Sequence, residues 1–172
     1  TETYKGNHMT EITLKSIKYA EFASQETYCY EATLYVDGKR FAKVSNQGHG
    51  GCDMQEPIKP FTYKDIRKLE ETIAEEYPKY GSEYGDGKEY DQNLDMVCGN
   101  LVSQWLMDKH IKKSLKKILY VQSEGDKDVW GMSNAAGARN HGEAIRQKIK
   151  EKFPQAIILN DLPIEEVRQY FS

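Results

Sequence analysis

The sequence predicts an α+β fold in a single compact domain, a mostly antiparallel sheet made from β-hairpins with helices packed on it. Three observations carry that expectation. A segment of strict period-two alternation runs into an Asp-Gly turn and an apolar return, two stretches place apolar residues at helical spacing, and the strands come in groups rather than in regular alternation with helices.

Taken in order, Ile12 to Phe22 is rich in β-branched and aromatic residues and reads as a strand. Its alternation changes phase between Leu14 and Ile17, which implies a bulge or bend. Tyr28, Tyr30, Ala32, Leu34 and Val36 then alternate with Cys29, Glu31, Thr33 and Tyr35, so one face of this strand lies in the core. Asp37-Gly38 supplies the positive φ values of a tight hairpin turn, and Phe41 to Val44 returns as the partner strand. A two-residue turn sets Leu34 opposite Phe41 but sends Val44 to the other face, so a bulge or a longer turn stays open.

Ser45 to Pro60 contains Gly48, Gly50 and Gly51, has no periodicity and reads as a loop. Thr62 with Asp65 forms a capping pair for a helix carrying Ile66, Leu69, Ile73 and Tyr77, which Pro78 ends. Lys79 to Asp91 reads as an exposed connection, and the place where the chain would be cut in two lies near residue 85. Leu94, Val97, Cys98, Leu101, Trp105 and Leu106 mark a long central helix to about His110 or a little beyond. Ile118 to Val121 and Val129 to Met132 form a second, weaker hairpin. A helix from Ala144 to Phe153, a strand from Ala156 to Leu159 and a short closing helix after Pro163 complete the chain.

Composition narrows the function classes. With 38% hydrophobic and 30% charged residues and a net charge of -3, the chain is a globular protein with a well-solvated surface. No run approaches the roughly 18 apolar residues of a membrane span, and no secretory leader is visible. A cytoplasmic location without membrane contact is therefore expected. Cys29, Cys52 and Cys98 are widely spaced and odd in number, so free thiols are expected, with no metal site and no cofactor. Thr1 to His8 is polar and aperiodic before Met9, and is expected to be a cloning remnant.

The candidate site is the loop Asn46, Gln47, Gly48, His49, Gly50, Gly51, Cys52 and Asp53. Its glycines let backbone N–H groups approach a ligand or partner. An enzymatic alternative makes His49 a base, Cys52 a nucleophile and Asp53 an acid. The loop lacks the lysine and hydroxyl residue of a phosphate-binding loop and opens no Gly-x-Gly-x-x-Gly helix, so nucleotide hydrolysis has no support. Lys109, Lys112, Lys113, Lys116 and Lys117 form a basic cluster at the end of the central helix, a candidate for phosphate contact in a nucleic-acid binder. Cations also suit a helix C-terminus for purely structural reasons. Twelve tyrosines are many for this length, and Tyr77, Tyr80, Tyr84 and Tyr90 would suit a partner surface if exposed.

The stretches from Lys15 to Asp53 and from Ala156 to Pro163 resemble small accessory proteins encoded by bacteriophages and prophages. That resemblance implies a setting in the bacterial host cytosol and an activity as an inhibitor or modulator that binds a host or defence component. With no catalytic constellation evident, the expected function is a binding protein for a bacterial protein or a small ligand. A small enzyme at His49, Cys52 and Asp53 is the alternative, and nucleic-acid binding through the lysine cluster the second.

Overall fold

The computed structural model describes residues 9–82, 85–132 and 142–171, and shows the α+β architecture with antiparallel sheets. Thr1 to His8 and Tyr84, for which the sequence made predictions, lie outside the described residues. By its internal packing the chain divides into two units, Thr1–Ser103 and Gln104–Ser172, so the division falls within a helix rather than near residue 85.

The first unit is organised on a four-stranded antiparallel sheet of β1 (Ile12–Tyr19), β2 (Cys29–Val36), β3 (Lys39–Gln47) and β4 (Met54–Pro57), in that spatial order. The phase change in β1 is a real bulge: the register shifts between Lys15 and Lys18, with Ser16 at a φ of 55°. The strand stops at Tyr19, short of the expected Phe22, which lies instead in a 3-10 turn, Glu21–Ala23. In the β2–β3 hairpin Asp37 and Gly38 both have positive φ, as a type I′ turn requires. Leu34 pairs with Ala42 rather than Phe41, because the register shifts between Leu34 and Tyr35. That extra residue is what keeps Val44 inward, so Leu34, Ala42 and Val44 are all buried on one face.

The segment from Ser45 to Pro60 is not wholly a loop. β3 continues to Gln47 and β4 pairs back onto it from Ala42 opposite Pro57 to Ser45 opposite Met54. The sequence hid β4 because its four residues, Met-Gln-Glu-Pro, carry no apolar alternation and its hydrogen bonds come from the neighbouring strand. Helix α1 (Tyr63–Glu76) starts on the predicted Thr62 and Asp65 capping box and buries Ile66, Leu69 and Ile73. Tyr77 follows it and donates its hydroxyl to the Thr10 carbonyl, which removes it from the proposed tyrosine surface. The expected connection after Pro78 contains a short ladder, β5 (Tyr80–Gly81) with β6 (Glu89–Tyr90), in which the Tyr80 and Tyr90 rings face each other 5.6 Å apart. Local cross-strand pairing of two aromatics gives this ladder its register.

Helix α2 (Leu94–Ser114) contributes its first part to the first unit, burying Leu94, Val97, Cys98 and Val102. In the second unit β7 (Ile118–Val121) is the middle strand of three, between β8 (Trp130–Met132) and β9 (Ile157–Ile158). Alternation along β7 splits the core in two. Tyr120 packs with Ile145 and Ile149 of α3 (Gly142–Lys152), while Leu119 packs with Ile111, Leu159 and Val167 of α4 (Ile164–Val167). Each such buried aliphatic chain contributes roughly 1.5–3 kcal/mol. Asn160 ties the turn after α2 to β7 by donating to the Leu115 and Lys117 carbonyls and accepting from the Leu119 N–H. A two-bond Arg168 to Asp108 pair joins the chain's last turn to α2 within this unit and holds the Asp108 carboxyl below its usual range.

Candidate functional site

The alternation of β2 and β3 builds the site. Tyr30 stands directly opposite Asn46, at the end of the inward rows that carry Ala32 and Leu34 on one strand and Val44 and Ala42 on the other. These two positions are polar where the rest of the rows are apolar, and both side chains turn to Asp53: the Tyr30 hydroxyl donates to one carboxyl oxygen and the Asn46 amide to the other, at 3.0 Å. Asn46 is only 8% exposed and uses its whole amide. Its oxygen accepts from the Thr27 hydroxyl at 2.7 Å and the Gly48 N–H at 2.9 Å, and its nitrogen also donates to the Gly51 carbonyl at 3.2 Å.

The glycines are what bring Asp53 back to the sheet. Gly48, Gly50 and Gly51 have φ of 85°, 86° and 89°, in the left-handed region that other residues avoid. Gly48 is also hemmed in, since its carbonyl accepts from the Gln25 and Glu26 N–H groups at 2.9 and 3.0 Å. The loop is thereby fastened to the segment between β1 and β2. Ser24 secures that segment in turn, donating to the Ala20 carbonyl and accepting from the Cys29 N–H.

Asp95, in the first turn of α2, closes the site from the helix side. Its carboxyl accepts from the Asp53 N–H at 3.2 Å and from the Gln55 amide at 2.8 Å. Burial pushes the Asp53 carboxyl above the usual carboxylate range; the bonds from Tyr30 and Asn46 oppose that, and the nearby Asp95 adds to it. Burial likewise pushes up the Cys98 thiol, aided by the charge of Asp53, and the Tyr30 hydroxyl beside it.

Of the sequence-predicted residues, Asn46, Gly48, Gly51 and Asp53 are brought into one network, and Gly50 joins it through its N–H to the Thr27 hydroxyl. His49 and Cys52 are not brought together. His49 is exposed, with Nδ1 3.4 Å from the Gln25 side-chain oxygen, while the exposed Cys52 thiol meets Asp95, whose hydrogen bond and charge raise its pKa. A carboxyl that raises a thiol's pKa does the reverse of activating a nucleophile. Iodoacetamide is therefore expected to label Cys52 more slowly at pH 8 than it labels cysteine in an unstructured peptide, and Asp95→Asn to speed the labelling severalfold; mass spectrometry against time measures both, and an unchanged rate in the variant would contradict the pairing.

Beside this network lies an open cleft of about 580 Å³. Tyr19, Tyr28, Glu26, Met96 and Gly99 line it together with Tyr30, Asn46, Asp53 and Asp95, whereas His49 and Cys52 do not. Sequence reasoning missed the far wall, Asp95, Met96 and Gly99, because it comes from a helix more than 40 positions from the loop. Tyr30 was legible only as an inward position of β2. Among the described residues no group of histidine, cysteine or carboxyl side chains could hold a metal ion, and no helix is long and apolar enough to cross a membrane. In the second unit Lys112 and Lys113 occupy the last turn of α2, Lys116 and Lys117 follow it, and Lys109 rests over the Trp105 ring at 5.0 Å. No family model, curated protein or solved structure matches this chain.

Proposed function

We propose that this is a non-enzymatic binding protein of bacteriophage or prophage type, which engages a bacterial protein or a small ligand at the cleft beside the glycine loop. The observation that carries the reading is the state of the polar groups there. Tyr30, Asn46, Thr27, Asp53 and Asp95 already satisfy one another, and Asp95 raises the pKa of the Cys52 thiol. Such a network fixes the shape of a surface and leaves no nucleophile paired to a base. A cleft of this volume, with phenol rings and a methionine on its walls, is a site for occupancy. Phe22, 92% exposed just before the lining residue Ser24, adds an apolar anchor for a protein partner.

Gly99→Phe tests the reading directly. A Cβ at Gly99 meets nothing within 4 Å, so the ring can grow into the cleft, and replacing a mid-helix glycine removes a helix penalty of about 0.3–1 kcal/mol. The variant is expected to keep or raise the unfolding midpoint while losing the thermal shifts that a chemically mixed ligand panel gives with the parent protein. Equal shifts in both proteins would mean that the cleft is not the binding site.

A further inference from the structure

The cleft carries an imbalance of charge that says what it takes. Three carboxyl groups, Glu26, Asp53 and Asp95, line it, and among the described residues no lysine, arginine or histidine does. None of the three forms an ion pair among the described residues. Asp53 and Asp95 are stabilised by neutral donors, which satisfy hydrogen bonding but leave the charge without a counterion. Two further lining residues, Tyr19 and Tyr28, meet edge to face, with centroids 6.1 Å apart and planes at 71°, forming an aromatic corner.

We propose that the cleft binds an alkylammonium group, either the end of a partner's lysine side chain or a free aliphatic amine. The inference rests on the binding reading above and specifies its ligand. An anion would face three carboxyls, and a neutral ligand would leave their charge uncompensated in a partly desolvated site. An ammonium is attracted both by the carboxyls and by the electron-rich faces of the tyrosine rings, while its alkyl stem packs against Met96. A guanidinium is served less well. It gains most from a carboxylate with two free oxygens, and both oxygens of Asp53 and of Asp95 already accept hydrogen bonds.

The test uses the full chain at pH 7 and low salt, with calorimetry and thermal shift. The probes are cadaverine, N-acetyl-lysine amide, N-acetyl-norleucine amide as its neutral analogue without the ammonium group, and N-acetyl-arginine amide. The expected result is saturable binding of cadaverine and the lysine amide, weaker binding of the arginine amide and none of the norleucine amide. Asp95→Asn is expected to weaken amine binding about tenfold, and Glu26→Gln, at an exposed position, to weaken it less. If Asp95→Asn does not fold, Glu26→Gln decides, and an unchanged affinity there overturns the proposal. Tighter binding of the lysine amide than of cadaverine assigns the group to a partner protein, and the reverse order to a free amine. Equal binding of the lysine and norleucine amides overturns the alkylammonium assignment. So does a panel in which neutral molecules bind, Gly99→Phe excludes them and the amines fail; that pattern leaves the cleft standing as a binding site. If Gly99→Phe changes no binding at all, the cleft reading falls, and this proposal with it.

Discussion

Replacing Gly48 with alanine is expected to destabilise the first unit by about 2–4 kcal/mol, from backbone strain at positive φ together with overpacking. Its φ of 85° lies where an L side chain is strained, and an added Cβ would sit 2.0 Å from the Ala23 carbonyl oxygen and 2.9 Å from the Cys29 Cβ. The first of these neighbours is backbone in a segment that Gly48 itself anchors, so relief requires moving residues 23–27 and breaking the bonds their N–H groups make to the Gly48 carbonyl. Gly51→Ala is the control: φ is 89° but the added methyl meets open space, so only the backbone term remains, about 1 kcal/mol. Gly50→Ala resembles it, because the group in its way is the far end of the Glu26 side chain, which can swing aside. Hydrogen exchange of the β2 and β3 amides reports the first unit separately from the second. Equal costs at positions 48 and 51 would show that the segment before β2 yields easily and is not clamped by the loop.

The difference between those glycines marks how far the sequence could be read. Alternation in β2, the Asp37-Gly38 turn, the phase slip in β1 and the Thr62 and Asp65 cap are local signals, and each appears in the fold where the pattern placed it. β4 and the β5–β6 ladder escaped because their order comes from pairing partners rather than from their own composition. The loop was conspicuous for its glycines, but the sequence could not rank the three. Only the packing of Ala23 and Cys29 against Gly48 sets that position apart. Likewise His49 and Cys52, chemically the most suggestive residues of the loop, turn away from each other toward Gln25 and Asp95. Which of two loop neighbours faces a cleft depends on backbone angles at three positive-φ glycines, and spacing carries no record of those angles.

The polar knot at Asn46 is expected to matter as much as the glycine. Asn46→Ala should cost about 2–4 kcal/mol, because the substitution removes one side chain and strands several partners in a partly desolvated place. The buried Gly48 N–H loses its acceptor, Asp53 loses one of the two donors that oppose its desolvation, and the Thr27 hydroxyl and Gly51 carbonyl lose a partner each. Thr27→Val separates network from bulk. It leaves Asn46 bonded to Gly48 and Asp53 and is expected to cost only about 1 kcal/mol. Asn46→Asp is the sharper variant: it keeps the shape and the acceptor for Gly48, but sets a second carboxyl against Asp53 where an amide donated. Two carboxyls in contact favour the form in which one holds a proton. The Asn46→Asp deficit should therefore be full at neutral pH and shrink as pH falls through the raised pKa of the pair, with urea midpoints measured across that range. A deficit independent of pH would mean that the aspartate has swung away from Asp53, and that the Asn46 to Asp53 bond is not what holds the loop to the sheet.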